Sequence, residues 1–289
     1  MSEAKQNGPN FPNVWTTKRG NLALLICPKA GCSTLAQFLY YSQAGTFWDT
    51  EIHDENLAIE KWPTGNRDLI RKKMRSPETL VIATVRNPYL RLLSAFFDKI
   101  ASPVSTYFDS TRGPEEYYRG AELDPWKEKY GFGPCEPKEQ IASFERFLEC
   151  LWDLFQESEP EASGFWDGHW LPLYPLIKDF TLKRGRLDYL IRCEDLTVGL
   201  RELAWQAKLD HVPDFEKLPR FNPSRMKKTF PEEDYFRSPA AQEIVQTLFW
   251  DDFEAFEYPL APSRMREPLP PIDLARLHRR VNTSEGCPK

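Results

Sequence analysis

The stretch Leu22-Ala-Leu-Leu-Ile-Cys-Pro-Lys-Ala-Gly-Cys-Ser-Thr34 constrains the fold more than any other part of this chain. Five apolar residues in a row, Leu22 to Ile26, predict a strand buried on both faces, as in a parallel sheet. After Gly31, Leu35, Phe38 and Leu39 recur at helical spacing, so a helix follows within one short turn. The free N–H groups of a helix start, at the positive end of its dipole, favour a phosphate or sulfate. Lys29 adds a point charge there, and Gly31 allows close backbone approach. The turn of Lys29, Ala30, Gly31, Cys32, Ser33 and Thr34 therefore reads as an anion cradle. It is not the familiar triphosphate loop, whose lysine follows its second glycine; here the lysine precedes the only glycine by two residues.

A second strand-turn-helix unit follows at Thr79 to Lys99. Leu80 to Val85 is a β-rich apolar run, Asn87 suits an N-cap and Pro88 the first helical position. Leu92, Leu93, Phe96, Phe97 and Ile100 form the expected buried stripe. Arg86 then stands at the carboxyl end of a strand, where open α/β sheets bind ligands. With Ser94 about two turns into the helix, a guanidinium and a hydroxyl are arranged to hold a phosphate monoester. Further helices are expected over 143–155, after Asp195 as cap, and over 239–249, with a third strand at 187–191. Such alternation predicts a parallel sheet covered on both faces.

Pro28-Lys-Ala-Gly-Cys-Ser-Thr34 and Val85-Arg-Asn-Pro-Tyr-Leu-Arg-Leu-Leu-Ser-Ala95 resemble the two cofactor motifs of PAPS-dependent sulfotransferases, especially the carbohydrate branch. PAPS is 3'-phosphoadenosine 5'-phosphosulfate. Weaker similarity continues through Asp167-Gly-His-Trp-Leu-Pro172, Asp188-Tyr-Leu-Ile-Arg-Cys-Glu-Asp-Leu196, Phe221-Asn-Pro-Ser224 and Asp252-Phe-Glu-Ala-Phe-Glu-Tyr258, so the resemblance spans roughly 20–258. It implies that the first motif, Lys29 to Thr34, holds the 5'-phosphosulfate, and that Arg86 and Ser94, eight residues apart, hold the 3'-phosphate. The expected fold is α/β, a P-loop-like three-layer arrangement with a central parallel sheet flanked by helices. One sulfotransferase domain is expected over 21–260, after an N-terminal extension, 1–20, and before an extended Pro-rich tail, 261–289. An insertion at about 101–140, rich in Pro, Gly and aromatic residues, reads equally as an acceptor cover or as a self-packed loop.

A chain of 289 residues, 41% hydrophobic, buries a sizeable core, and its net charge of −5 offers nucleic acid no favourable overall field. No stretch reaches the length of a membrane span, and the first residues lack a signal-peptide core. A cytoplasmic location is expected, with the Golgi lumen as the alternative if an anchor has been removed. The six cysteines show no close paired spacing, which predicts reduced thiols and no metal site.

Transfer to a hydroxyl needs a base, most economically a histidine. The chain has four. His278 falls in the tail and His211 in a turn, leaving His53 and His169 as candidates, with Glu51 and Asp98 as fallback bases. The resemblance places a catalytic histidine between the two motifs, as His53 is, and matches His169 to an element facing the cleft. Lys29 is the expected stabiliser of the leaving oxygen, and Arg91 reads as either a cofactor contact or a structural ion pair. The expected activity is sulfuryl transfer from PAPS to a hydroxyl of a carbohydrate or glycosylated small metabolite. N-sulfation of a small amine and an ATP-dependent P-loop-like kinase are the alternatives.

Overall fold

Apolar runs alternate with amphipathic helices, and the fold follows from where each run can hide its two faces. The computed structural model describes residues 14–19, 21–48, 59–62, 67–101, 126–156, 168–184, 186–217 and 228–282. Among the described residues five strands form one sheet: β1 (Val14–Thr17), β2 (Leu22–Leu25), β3 (Ile59–Trp62), β4 (Leu80–Val85) and β5 (Tyr189–Arg192), in the order β3-β1-β2-β4-β5. β2, β4 and β5 run parallel, with Leu22 opposite Leu80 and Val85 opposite Arg192. The chain therefore leaves all three at one edge. β1 pairs antiparallel with both β2 and β3, which makes the sheet mixed beyond its parallel centre.

The helices are α1 (Cys32–Ala44), α2 (Arg67–Arg75), α3 (Pro88–Ala95), α4 (Gln140–Gln156), α5 (Leu173–Arg184), α6 (Leu196–Ala207), α7 (Pro239–Leu248), α8 (Trp250–Ala255) and α9 (Leu274–Asn282). Successive strand side chains point to opposite faces. Leu22, Leu24, Ile82 and Ile191 accordingly pack with Leu35, Phe38 and Leu39 of α1 and Leu200 and Leu203 of α6. Ala23, Leu25, Val81, Ala83, Val85 and Leu190 face the other core, with α3, α4 and α7. Three layers result, as expected. Gly199 lets α6 lie close on β5, because a Cβ there would run into the Ile191 side chain. No helix among the described residues is long and apolar enough to cross a membrane.

Two boundaries differ from the sequence reading. Residues 1–20 do not form a separate extension throughout, since Val14–Thr17 is a wholly buried strand of the sheet. Nor is the chain after Ala261 simply extended. It makes a 3₁₀ turn at Pro262–Arg264 and the helix α9, whose Leu277 and Val281 are buried. Polar ties hold this segment. Arg192 donates to the carbonyls of Pro270 and Phe256, and Arg280 pairs with Asp251 at 3.0 Å and Glu254 at 2.7 Å. Of the 101–140 insertion, 102–125 lie outside the described residues, including Tyr107, Phe108, Tyr117 and Tyr118. Its end packs on the body through Phe132 against Phe147, and the Tyr130 hydroxyl donates to Asp153 at 2.8 Å.

Leu277→Ala is expected to lower unfolding stability by about 2–5 kcal/mol, the range for emptying a core leucine site. Urea denaturation checks this, and an unchanged midpoint would mark α9 as a loosely attached tail.

Candidate active site

The edge where β2, β4 and β5 end carries the residues singled out by the sequence. After β2, Cys27 and Ala30 are buried, and the amide of Ala30 donates to the Cys27 carbonyl at 3.2 Å, closing a tight turn. Gly31 ends the turn with φ 84°, a left-handed backbone that costs other residues roughly 1–2 kcal/mol. A Cβ at Gly31 would also sit 3.2 Å from Leu196 and 3.3 Å from the Cys193 sulfur. With glycine as its N-cap, α1 has no side-chain cap and no acidic residue in its first turn. Its leading amides can therefore serve an anion. Ser33 is buried and Thr34 half-buried within that turn.

Lys29 adopts φ 63°, uncommon for a residue with a side chain. Its ammonium pairs with Asp98, whose other neighbour is the Lys99 ammonium at 3.2 Å. Burial pulls the Lys29 amine below the ordinary lysine range, and Asp98 only partly opposes this. Burial works to raise Asp98, but the two lysines outweigh it and hold the carboxyl below its usual value. Asp98 reaches the loop because α3 runs into a π-helical turn, Phe96–Ile100, closed by the Ala101 amide on the Phe96 carbonyl at 2.9 Å. That turn buries Phe96, Phe97 and Ile100 as the apolar stripe predicts.

Arg86, at the end of β4, donates to the carbonyl of Lys29 at 3.1 Å, which joins the two motifs directly. Asn87 caps α3 as expected, accepting from the Tyr89 amide at 3.0 Å. The Asn87 backbone N–H donates to Glu194 at 2.9 Å, and Glu194 also accepts from the Tyr258 hydroxyl at 3.0 Å. Ser94 is half-buried on α3. Cys193, pushed up to about 11 by burial, lies within the fields of both Arg86 and Arg266. Arg266 in turn shares Glu232 with Lys228.

Arg91 contacts the cradle from beneath. Fully buried, it donates to the carbonyls of Pro28 at 2.9 Å, Gly168 at 2.8 Å and Leu171 at 2.6 Å. Through these three bonds it clamps backbone of both loops. His169 belongs to the clamped loop and is half-buried, its ring centroid 6.4 Å from that of Trp170. Gly168 beside it has room for a Cβ only 3.6 Å from Pro28, so the histidine loop abuts the lysine loop. Asp252 completes the support by accepting from the amides of Leu173 and Tyr174 at the start of α5, at 2.9 and 2.7 Å. Burial pushes its carboxyl up to about 6, against the pull of Arg91 and those amides.

His53 and Glu51 lie outside the described residues, as does the Phe221-Asn-Pro-Ser224 stretch. The other two histidines stand elsewhere: His211 packs on Gly45 beyond the far end of α1, and His278 is on α9. Sequence reasoning missed Lys99, Glu194 and Arg266. Lys99 could have been found from its place beside Asp98, but the other two become neighbours of the edge only through long-range folding.

A family model described as sulfotransferase family matches residues 12–259. The chain belongs to the sulfotransferase family. It is thus a transferase, and the match covers every strand of the sheet and both cation-bearing loops. Comparisons with curated proteins and with solved structures gave no match.

Arg91→Ala is expected to destabilise this sulfotransferase by about 3 kcal/mol or more, since three backbone carbonyls lose a fully buried, charged donor. Arg91→Lys should rescue little, because one ammonium cannot reproduce the planar fork. Urea unfolding measures both. Wild-type stability combined with weakened nucleotide binding would instead make Arg91 a ligand contact.

Proposed function

We propose that this enzyme transfers the sulfuryl group of PAPS to a hydroxyl of a carbohydrate or glycosylated small metabolite by in-line displacement. The observation that supports the reading most is the bond from Arg86 to the Lys29 carbonyl, which joins the two loops on which one nucleotide would rest. The left-handed Gly31, where a Cβ would crowd Leu196 and Cys193, and the uncapped start of α1 suit a bound phosphate or sulfate. In this reading Lys29, Ala30, Gly31, Cys32, Ser33 and Thr34 hold the 5'-phosphosulfate, and Arg86 with Ser94 holds the 3'-phosphate. When bound, PAPS supplies an already activated sulfuryl group and the leaving group adenosine 3',5'-bisphosphate.

The protein's part is then positioning and charge stabilisation. Lys29 offsets the negative charge that grows on the departing oxygen, with Ser33 and Thr34 beside it. His169 or His53 takes the proton of the acceptor hydroxyl. The clamped loop of His169 against Pro28 supports the first choice, and the position of His53 between the two motifs supports the second. The free thiols of Cys32 and Cys193, neighbours around Gly31, suit a reducing compartment such as the cytoplasm.

Lys29→Met should cut kcat by about 10²-fold or more while leaving nucleotide affinity within several-fold, because its interaction strengthens in the transition state. Arg86→Ala should weaken adenosine 3',5'-bisphosphate far more than adenosine 5'-phosphate in calorimetry; equal losses would remove Arg86 from the 3'-phosphate. Tight ATP binding that requires magnesium, with no bisphosphate binding, would replace the whole reading with a kinase. Comparing His53→Ala with His169→Ala at saturating donor, one of them should lose about 10²-fold or more in kcat. Undiminished turnover in both would place the base elsewhere.

A further inference from the structure

Asp98 has no role in the transfer described above, yet it is the carboxylate closest to the cradle lysine. The Lys29, Lys99 and Asp98 side chains are only 14%, 13% and 11% exposed. Both ammonium groups meet the same carboxylate oxygen, Oδ2. Three charges are thus held together largely out of water, one negative against two positive.

We propose that Asp98 is a positioning residue for Lys29, its carboxylate holding that ammonium as a cation aimed along the cradle while tying Lys99 to the same place. The inference rests on Lys29 being the leaving-group stabiliser. A lysine taken out of water tends to lose its proton, and a neutral amine offers a departing oxygen far less. The groups facing Lys29 divide on this point. Asp98, from the π-helical turn, and Cys32, from the first turn of α1, favour the charged form, whereas Lys99 opposes it. Arg86 donates to the Lys29 backbone carbonyl. Asp98 is therefore the main support of the Lys29 charge against burial.

The same geometry makes Asp98 a poor proton acceptor. A carboxylate between two ammonium groups is stabilised as the anion and so is a weak base. The fallback role of general base passes instead to this supporting one. The π-helical turn gives the arrangement its geometry, because it carries both Asp98 and Lys99 on a segment whose apolar residues stay buried.

The sign of the pH effect follows. Lys29 is charged below its own titration point and loses that charge as pH rises through it. Replacing Asp98 with a neutral residue of the same shape lowers that point, so the alkaline fall in activity begins sooner.

The test compares wild type with Asp98→Asn and Asp98→Glu. In Asp98→Asn the alkaline limb of kcat/KM should move down by roughly 1–3 pH units, the usual effect of a close opposite charge. Asp98→Glu should keep the limb near its wild-type position. A second readout needs no turnover: in protein labelled with ¹³C at lysine Cε, the Lys29 signal, assigned by its loss in Lys29→Arg, should titrate at lower pH in Asp98→Asn. An unshifted Lys29 titration, or loss of an acidic limb that marks Asp98 as the base, overturns the proposal. Should Asp98→Asn fail to fold, the inference falls if folded Asp98→Glu shows the shifted limb. If Lys29→Met transfers normally, the reading of Lys29 has failed; if it is inactive while the Asp98→Asn titration stays put, only this inference has.

Discussion

A fully buried guanidinium sets the geometry of the sheet's carboxyl edge. Arg91 gives its hydrogens to Pro28, Gly168 and Leu171, three backbone carbonyls from two loops far apart in sequence. An arginine can do this because its donors lie in one rigid plane and its charge is never lost. The loop carrying Lys29 and the loop carrying His169 are held against each other as a result. Asp252, buried near the same arginine, fixes the start of α5 through two amides and so anchors the far side of the histidine loop.

Above this clamp the side chains are arranged by charge. Lys29, Asp98 and Lys99 form one cluster, and Arg86 reaches the same loop from β4. A chain with net charge −5 has no general attraction for a polyanion, so an anion must be drawn by such a local concentration of cations. The costs of the site are visible too. Lys29 sits in a left-handed backbone, and α3 gives way to a π-helical turn, departures from regular geometry that cluster where function needs them.

Much of the fold was legible because its central strands are continuous apolar runs and its helices keep a clear period. Leu80–Val85 and the helix that Asn87 and Pro88 begin were read to the residue at their starts. β1 was not, since Val-Trp-Thr-Thr neither alternates nor forms an apolar run, although Thr16 and Thr17 are fully buried. The segment after Ala261 misled through its prolines; Leu277 and Val281 lie one helical turn apart, a short signal whose weight comes from long-range ties to Arg192 and Asp251. Asp195 stands at the start of α6 without a side-chain cap bond, because a 3₁₀ turn at Cys193–Asp195 leads into that helix. The two loops that carry Lys29 and Arg86 could be placed from the strand-turn-helix pattern. The long-range partners of Asp98 and Arg91 could not, because these contacts bridge 63 to 80 positions.

The most direct measurement is a crystal structure of the protein with adenosine 3',5'-bisphosphate. The account predicts the 5'-phosphate on the amides of 30–34 beside Lys29, and the 3'-phosphate on Arg86 and Ser94. A nucleotide seated away from this edge, or one whose 3'-phosphate touches neither residue, would contradict it.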